Sequence, residues 1–498
     1  MKNQLQFWFA TGSQNLYGDE CLRLVAAHSA EIVGELNASE SMPFPIAQKP
    51  TLLDSASITA FFRAANADPA CAGVILWMHT FSPAKNWIAG LSENKKPLLH
   101  FHTQFNREIP FAAIDMDFMN ANQSAHGDRE FAHILTRLGI ERKTVVGHRS
   151  DPAARAKIAA WMRTAAGTAE SRSLRIARFG DNMRSVAVTE GDKVEAQIKF
   201  GWETDAYEAA ELAAYVDRQS ASDVAALTDI YSGEYVCECA NPGLCKKSMA
   251  TQAAIELGLR AFLKDTNCQA LTTNFQALSG LRQLPGLAIQ RLMADGFGFG
   301  AEGDWKTAAL VRIMKTMTRG LAGAKGTSFM EDYTNHFGGG AAGHGDAAGH
   351  GGAILQAHML EVCPTIAAEK PRIAVAPLSM GEREDPARLV FTSKPGAGVA
   401  CSLVDLGTRF RMIIAEVDCL VQNEPMPNLP VASALWCPRP DFATGIEAWL
   451  VAGGAHHTAF SYDLTSDQMC DWAEIMGVEA VVIDASTNIR ALKNSLRR

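Results

Sequence analysis

Residues 72–81 read AGVILWMHTF, an apolar run that ends in the polar residues His79 and Thr80. An apolar run of this length, bounded by polar residues, is typical of a strand buried on both faces of a parallel sheet. Residues 97–104, PLLHFHTQ, show the same pattern after a helical stretch. Because the carboxyl ends of parallel strands lie along one edge of a sheet, we expect the polar residues that follow these strands to meet there and to bind a ligand.

Outward from these strands, the chain continues to alternate strand and helix patterns. Residues 5–10 predict a short buried strand, residues 12–18 (GSQNLYG) a turn-rich loop and residues 21–36 an amphipathic helix. Near Leu174 the run LRIARF predicts the first strand of a second α/β unit. Later in that unit we predict a strand and two helices, over residues 270–275, 285–293 and 307–317.

The last third of the chain has a different pattern, with closely spaced β-type runs joined by short Gly, Pro and Asp turns. The clearest of these runs are residues 372–376, 388–392, 399–406 and 411–417. Such spacing favours an antiparallel sheet or barrel.

A chain of 498 residues exceeds what one hydrophobic core usually serves, so several domains are expected. We predict an N-terminal α/β domain over 1–174, a central α/β domain over 175–324 and a β-rich domain over 325–498. The predicted fold class is α/β, with two Rossmann-like parallel-sheet domains followed by a mainly antiparallel β domain.

Composition excludes some classes of partner. A net charge of -8 argues against nucleic acid, which needs clustered Lys and Arg. The apolar run near the N-terminus, Phe7 to Ala10, is too short for an export signal, and no run reaches membrane-spanning length. We therefore expect a cytoplasmic protein without a membrane partner.

The eleven cysteines are scattered, a usage typical of reduced, buried thiols. Cys237, Cys239 and Cys245 form one local cluster without a fourth ligand nearby to complete a tetrahedral metal site. We expect these three to be partly exposed loop thiols.

The glycines Gly298, Gly300 and Gly303 fit the G-x-G-x-x-G dinucleotide fingerprint, which is meaningful only after a strand. The preceding segment is predicted to be helical, so we reject a dinucleotide site and expect these glycines to shape a loop. They surround Glu302, which precedes a helix whose predicted N-cap is Asp304. An acid near a helix start also complements the helix dipole, so Glu302 has a structural explanation as well as a functional one.

Four further residues are candidate metal ligands. Taken alone, Glu331 is explained as an ordinary surface acid and His358 as a half-buried histidine. His456 and His457 follow two glycines, and because adjacent side chains in an extended segment point apart, we expect only one of them to face a metal. Two carboxylates and one or two imidazoles form a mixed oxygen and nitrogen set that suits Mn²⁺. The sequence separation between them is too long to establish that they converge.

Residues 338–352, GGGAAGHGDAAGHGG, cannot build a core and are expected to form a mobile loop. Its histidines, His344 and His350, could touch a metal, but a solvated position is the simpler expectation.

Longer motifs carry a resemblance to a known family. Besides GSQNLYG they include LWMHTFSPAKNWI, HTQFN, DMDFMNANQSAHGDREF, RFGDNMR, GDKVEAQIKFG, QLPGLAIQRLM, EGDWKTAALVRIMK, GTSFMEDYT, HMLEVCP and GGAHHT. Together they resemble the L-arabinose isomerase family over essentially the whole chain and in the same order. Residues 338–352 look longer than the corresponding family segment, and the region from Cys237 to Cys245 also departs from it.

The resemblance implies which residues form the site. It places the metal ligands at Glu302, Glu331, His358 and His457, with the two glutamates as acid-base residues. It also implies a set of substrate contacts, namely Gln14, Leu16, Tyr17, Phe81, Gln123, His126, Met183, Phe275 and His456. One Mn²⁺ per subunit is expected, with Co²⁺ as another divalent ion for the site, and so is a homohexamer with active sites between subunits.

The implied reaction interconverts L-arabinose and L-ribulose by metal-assisted proton transfer through a cis-enediol, with D-galactose to D-tagatose as a second reaction. Two alternatives stay open at this point. One is a related ketol isomerase for another sugar, such as L-fucose or D-galactose, which would differ in its pocket lining. The other is a non-catalytic sugar-binding protein with two α/β lobes.

Overall fold

The computed structural model describes residues 5–239, 241–337, 351–378 and 383–497. The chain divides into two compact units, Met1–Ala169 and Glu170–Arg498. Among the described residues, no helix is long and apolar enough to cross a membrane.

The first unit contains a five-stranded sheet in the order β2-β1-β3-β4-β5, with every pair parallel. Its strands are β1 (Gln6–Gly12), β2 (Ile46–Gln48), β3 (Cys71–Met78), β4 (Leu98–His102) and β5 (Lys143–Val146). Its helices are α1 (Gly18–Asn37), α2 (Ser55–Ala67), α3 (Ile88–Glu93), α4 (Met116–Ala121), α5 (Ser124–Arg137) and α6 (Pro152–Ser171), which ends just past the boundary between the units.

Both faces of this sheet are buried. Along β1, Phe7 and Phe9 belong to one hydrophobic cluster, whereas Trp8 and Ala10 belong to another. Successive side chains of a strand point to opposite faces, so the apolar run of β1 supplies two cores at once. All eight residues of β3 are buried for the same reason.

The second unit begins with a four-stranded parallel sheet in the order β10-β9-β6-β7. Its strands are β6 (Arg175–Phe179), β7 (Glu203–Tyr207), β9 (Ala270–Thr273) and β10 (Gly298–Ala301). The helices of this part are α7 (Lys193–Phe200), α8 (Ala209–Asp217), α9 (Ala221–Glu234), α10 (Pro242–Asp265), α11 (Gly286–Ala294) and α12 (Trp305–Met317). A small sheet in the order β14-β13-β8 joins β8 (Val236–Cys237), β13 (Arg372–Val375) and β14 (Ala387–Val390).

A barrel follows in the same unit. Its strands run in the order β15-β18-β11-β12-β17-β16, and the pairing of β15 with β16 closes the ring. Neighbours in the ring are antiparallel, and β19 (Glu479–Ile483) adds to β16 in parallel. The ring strands are β11 (Thr327–His336), β12 (Ala353–Ala357), β15 (Gly396–Asp405), β16 (Phe410–Leu420), β17 (Ser433–Pro438) and β18 (His457–Ser461). The last helices are α13 (Phe442–Ala452), α14 (Ser466–Ile475) and α15 (Ile489–Ser495).

The predicted fold class is confirmed, because two parallel sheets with helices precede an antiparallel barrel. The domain boundaries predicted at residues 174 and 324 stay predictions. Most of the segment expected to form a mobile loop, residues 338–350 with His344 and His350, lies outside the described residues.

The cysteine cluster differs from the expectation of separate thiols. Cys239 and Cys245 form a disulfide between the loop after β8 and the first turn of α10, while Cys237 is free and exposed. Six of the other cysteines are buried and outside any disulfide among the described residues, as expected of reduced thiols. The sequence did not reveal the pair because its proximity depends on where α10 begins.

Candidate metal centre

Glu302 lies between β10 and α12, in a tight turn. Its φ of 60° is in the left-handed region that non-glycine residues seldom adopt. The predicted N-cap is confirmed, since Asp304 accepts a hydrogen bond from the Thr307 N–H and begins α12. The turn therefore places Glu302 at the carboxyl end of a parallel strand, where ligands bind in α/β sheets.

The glycines before Glu302 are not loop residues, as the sequence had suggested, but part of the strand. Gly298 and Gly300 lie in β10, which is directly followed by α12. A Cβ on Gly300 would come within 2.3 Å of the Asp304 carbonyl oxygen, and one on Gly298 within 2.1 Å of the Ala308 carbonyl oxygen. These glycines thus allow α12 to pack directly on the strand, which fixes where Glu302 stands.

Three barrel strands supply the other predicted ligands. Glu331 in β11 pairs in register with His457, the first residue of β18. On its other side Glu331 pairs with Ala357, the last residue of β12, and His358 follows immediately. Residues directly opposite each other on antiparallel strands project from the same face, so the barrel brings Glu331 and His457 together.

Distances between the side chains define the centre. The Glu302 Oε2 atom lies 3.9 Å from His456 Nε2 and 4.0 Å from His457 Nε2. The potential ligand atoms of these three residues all lie within 4.8 Å of one another. His358 Nε2 lies 3.7 Å from Glu331 Oε2. The structure thus gathers both predicted carboxylates and three imidazoles, in two adjoining groups.

One sequence expectation about this group is wrong. His456 and His457 were expected to point apart, yet both approach the same oxygen of Glu302. The reason is that β18 begins only at His457, so His456 lies in a bend and the alternation of an extended strand does not apply to it.

Two further acids, which the sequence reasoning did not assign to the site, hold the imidazoles. His457 Nδ1 lies 3.2 Å from Asp304 Oδ2, and His358 Nδ1 lies 2.5 Å from Glu361 Oε2. Each acid fixes one ring nitrogen and leaves Nε2 for another partner, an arrangement common behind metal-binding histidines. The signal was spacing: Asp304 comes two residues after Glu302, and Glu361 three after His358.

Buried polarity indicates that a cation fits here. His457 is fully buried, and in the described part of the chain its Nε2 has no hydrogen-bond partner. A buried nitrogen without a partner is costly unless something outside the chain satisfies it. Carboxylate oxygens and imidazole nitrogens around such an atom are donors that Mn²⁺ and similar ions accept.

The pKa values follow the same arrangement. Burial lowers the pKa of His358, but the adjacent Glu361 carboxylate, helped by Glu331 and Glu302, outweighs it and raises that pKa to about 9. Burial raises the pKa of Glu302, but the interaction with His456 and the charges of His457 and His358 bring it below its ordinary value. Glu302 is therefore an ionised carboxylate at neutral pH.

A cavity of about 220 Å³ adjoins the centre. Glu302, Glu331 and His358 line it, and so do two of the predicted substrate contacts, Met183 and Phe275. A lining that combines these polar groups with apolar side chains is suited to a small polar ligand. His456 is also predicted to contact substrate. Its Nε2 lies 3.9 Å from the Oε2 atom of Glu302, which lines the cavity.

The other predicted substrate contacts belong to the first unit. Tyr17 and Leu16 line a cavity of about 830 Å³ within that unit. The Tyr17 hydroxyl donates to Gln123 Oε1 at 3.5 Å, and the rings of Phe81 and His126 lie 4.7 Å apart. Gln14 directly precedes the short helical turn that contains Leu16 and Tyr17. These residues remain predicted contacts.

Comparisons with known proteins cover nearly the whole chain. Three family models match: the L-arabinose isomerase N-terminal domain over residues 1–173, the central domain over 175–320 and the C-terminal domain over 326–479. The chain is 56% identical to an L-arabinose isomerase of Geobacillus stearothermophilus, over 99% of this chain and 97% of the relative. It is 53% identical to that of Clostridium beijerinckii and 52% identical to that of a Nocardioides species, each over 99% of this chain and 97% of the relative.

Proposed function

The chain belongs to the L-arabinose isomerase family and is an isomerase, and on that premise we propose that it interconverts L-arabinose and L-ribulose with a divalent metal. The proposed ligands are Glu302, Glu331, His358 and His457. The observation that carries the proposal is the buried, unpartnered Nε2 of His457, 4.0 Å from a carboxylate oxygen of Glu302. We propose one Mn²⁺ per subunit, with Co²⁺ as an alternative ion for the same donor set.

Proton transfer is assigned to the two glutamates. When bound, a divalent cation supplies Lewis acidity, which polarises the sugar carbonyl and makes the neighbouring C2 proton easier to remove. One of Glu302 and Glu331 removes the C2 proton, giving a cis-enediol, and the proton returns at C1. The other carboxylate moves a proton from the C2 hydroxyl to the C1 oxygen. The lowered pKa of Glu302 supports its having a proton-accepting form at neutral pH.

Deuterium distinguishes this route from a hydride shift between C2 and C1. In D₂O, the enediol route exchanges the mobile hydrogen with solvent, so deuterium is expected at C1 of the L-ribulose formed. Product made over many turnovers without any carbon-bound deuterium would contradict the proton-transfer route while leaving the isomerase activity intact.

Metal and carboxylate are tested together. We expect the protein treated with a chelator to lose ketose formation from L-arabinose and to regain it with Mn²⁺. Glu302→Gln keeps the size of the side chain but removes the proton-accepting carboxylate. Turnover is therefore expected to fall at least a thousandfold, which corresponds to the loss of about 4 kcal/mol of transition-state stabilisation. An unchanged circular dichroism spectrum is the control for folding. A Glu302→Gln protein with most of its activity would contradict the assignment.

D-galactose to D-tagatose is proposed as a second reaction of the same cavity. D-galactose has the same configuration as L-arabinose from C1 to C4 and adds a hydroxymethyl group at C5, the end away from the reacting carbons. Met183 and Phe275, which line the cavity, are the residues we propose to face that added group. Ketose formation from L-arabinose, D-galactose and L-fucose after reloading with Mn²⁺ compares the three substrates. A preference for L-fucose would favour the alternative that the protein is a ketol isomerase for another sugar over the proposed L-arabinose isomerase activity.

We propose a cytoplasmic homohexamer in which first-unit residues of one subunit complete the site of another. Large apolar side chains are exposed in that unit: Leu16 is 82% exposed, Phe111 82% and Met116 70%. Large apolar side chains as exposed as these favour an interface between chains. The test mixes inactive Glu302→Gln chains with inactive His126→Asn chains. If each site takes residues from two subunits, mixed assemblies contain some complete sites and part of the activity returns. If each subunit has a site of its own, every site keeps one substitution and the mixture stays inactive.

A further inference from the structure

We propose that Asn182 is a positioning residue: its side-chain amide holds the turn at Glu302 in the conformation that a bound metal requires. The inference rests on the proposed function, because it takes Glu302 as a metal ligand. It extends to a residue that contacts neither the cavity nor the reacting groups.

The backbone at Glu302 needs such support. Among the described residues, only Ser185, Asn267 and Glu302 combine a side chain with a positive φ. A residue with a Cβ stays in the left-handed region when its surroundings hold it there, and such residues cluster at functional sites. The carboxylate of Glu302 therefore points where it does because neighbouring groups prevent the turn from relaxing.

Hydrogen bonds from the segment after β6 provide that support. The Met183 N–H donates to the Glu302 carbonyl oxygen at 2.9 Å, and Asn182 Nδ2 donates to the Gly303 carbonyl oxygen at 3.2 Å. The Gly303 N–H donates in turn to the Thr273 carbonyl oxygen at 3.2 Å. The peptide groups on the carboxyl side of Glu302 are thus held by two neighbouring residues, Asn182 and Met183.

Close packing adds to these bonds. Gly303 has a φ of 85°, and a Cβ placed on it would lie 2.5 Å from the Asn182 Cα atom. The segment with Asn182 is therefore pressed against the turn, and Asn182 itself is only 5% exposed. A shift in the position of Asn182 would therefore move the Gly303 peptide as well, because the two residues are in direct contact.

The Asn182 amide is itself fixed in orientation. Its Oδ1 accepts from Arg178 Nη1 at 2.8 Å, and its Nδ2 donates a second hydrogen bond to the Thr189 carbonyl oxygen at 2.5 Å. Lys306 Nζ donates to the same carbonyl at 3.0 Å. The amide therefore has its donor side toward two carbonyl oxygens, of Gly303 and Thr189, and its acceptor side toward a guanidinium.

The substitution Asn182→Asp uses this asymmetry. It keeps the size of the side chain and an acceptor for Arg178, but it replaces the amide donor with an oxygen facing two carbonyl oxygens. We expect the turn to relax and Glu302 to lose its position. Loss of an outer partner of a metal ligand typically weakens metal affinity about 10- to 100-fold.

The test measures Mn²⁺ affinity of the metal-free protein by calorimetry, together with kcat and KM. We expect Asn182→Asp to bind Mn²⁺ 10- to 100-fold more weakly and to recover activity at high Mn²⁺. Asn182→Ser is a second variant, in case the buried carboxylate of Asn182→Asp prevents folding. Serine is smaller and uncharged. Asn66→Asp is the matched control, because Asn66 Nδ2 donates to the Glu93 carbonyl oxygen within the first unit; its Mn²⁺ affinity should be unchanged.

Two results would overturn the inference, and they are distinguishable. Folded Asn182→Asp and Asn182→Ser proteins with the Mn²⁺ affinity of the unsubstituted protein would show that Asn182 does not position Glu302. An unsubstituted protein that isomerises L-arabinose without binding Mn²⁺ would overturn the metal centre itself, and this inference with it.

Discussion

His456 and His457 are neighbours in the chain, yet their surroundings predict different roles. His457 is fully buried and its Nδ1 faces Asp304, whereas the His456 side chain is 36% exposed and its Nε2 lies 3.9 Å from Glu302 Oε2. We expect His457→Gln to abolish Mn²⁺ binding. His456→Gln should keep the metal and raise KM for L-arabinose about tenfold, the cost of one hydrogen bond of about 1.4 kcal/mol.

This pair is its own control, because the two variants make the same change one residue apart. Metal content and KM, measured on both proteins, separate the roles. If His456→Gln loses the metal and His457→Gln keeps it, the ligand at this position is His456, which the geometry of Glu302, His456 and His457 also allows.

A second residue-scale prediction concerns acid stability. His79 stacks on Trp77 and shares a hydrogen bond with His28, and burial, together with the charge of His28, lowers its pKa to about 3. In the unfolded chain a histidine binds a proton below about pH 6.5. The unfolded state therefore binds more protons between pH 6.5 and 3, so stability falls as the pH falls, by about 1.4 kcal/mol per unit from this group.

His79→Phe keeps an aromatic ring against Trp77 and removes the titration. We expect its melting temperature to fall less between pH 6.5 and 4.5 than that of the unsubstituted protein. His28 is the titratable partner of His79, and its own pKa is lowered by burial, so part of the acid sensitivity stays in the variant. Exposed His133, changed to Gln, should leave the pH dependence as it was; equal slopes for His79→Phe and the unsubstituted protein would refute the prediction.

How far the sequence predicts the site differs from residue to residue. Motif context pointed to Glu302, Glu331, His358 and His457. The structure brings their functional atoms together in two pairs, Glu302 with His457 and Glu331 with His358, and Glu331 pairs in register with His457. Asp304 was predicted only as a helix cap, although it also faces His457. That second contact comes from a residue 153 positions away, and no local pattern reports a contact across such a separation.

At the scale of elements, the packing of α12 on β10 decides where Glu302 stands. We expect Gly300→Ala to lower stability by about 2 kcal/mol, because a Cβ would meet the Asp304 carbonyl oxygen, which is backbone and cannot turn aside. Activity should fall further than stability explains, since the shift passes directly to Glu302. Melting temperature and kcat are the measurements.

Gly233→Ala is the matched control for this substitution. Gly233 lies in α9, and among the described residues nothing comes within 4 Å of a Cβ placed on it. Alanine favours a helix over glycine, so this variant should be as stable as the unsubstituted protein or slightly more stable. A Gly300→Ala protein that behaves like the control would show that α12 does not need the close approach.

Elements were predictable where their pattern is local. The strands β13 to β16 and the helix α12 were predicted within a few residues, because alternation and helical periodicity are properties of short segments. The strands β11, β12 and β18, which carry or adjoin the ligands, were not predicted as strands. Their partners are distant in sequence, and β11 bears exposed residues toward its end, which weakens the alternation.

For the whole molecule, the two compact units should respond differently to metal. All four proposed ligands lie in the second unit, so Mn²⁺ alone should slow hydrogen exchange around β10, β11, β12 and β18. Peptides of the first unit should change only when L-arabinose is added, if their predicted contacts are used. Exchange measured by mass spectrometry on the metal-free, Mn²⁺-loaded and sugar-bound protein gives the three states.

Glu302→Gln is the reference for this experiment, since it should lose the protection that Mn²⁺ gives. Equal protection of both units by Mn²⁺ alone would contradict a centre confined to the second unit. Protection by L-arabinose that never reaches residues 12–18 would contradict the predicted contacts of Gln14, Leu16 and Tyr17.

The overall architecture followed from the order of patterns along the chain, strand with helix in the first two thirds and strand with turn in the last. Closure of the barrel did not, because the pairing of β15 with β16 is visible only once both edges of the sheet are known. The first-unit cavity was likewise beyond local pattern, since its walls come from residues as far apart as Leu16 and Asn122.

The register of β11 against β18 also makes the centre a check on correct assembly. Glu331 stands opposite His457, and a slip of one residue would turn Glu331 to the other face of the barrel wall. A wrongly paired chain would therefore lose a ligand outright and would have no graded, weaker version of the site. Uptake of the proposed metal would then distinguish correctly paired barrels from misaligned ones, so metal binding would report on strand alignment even where no activity is measured.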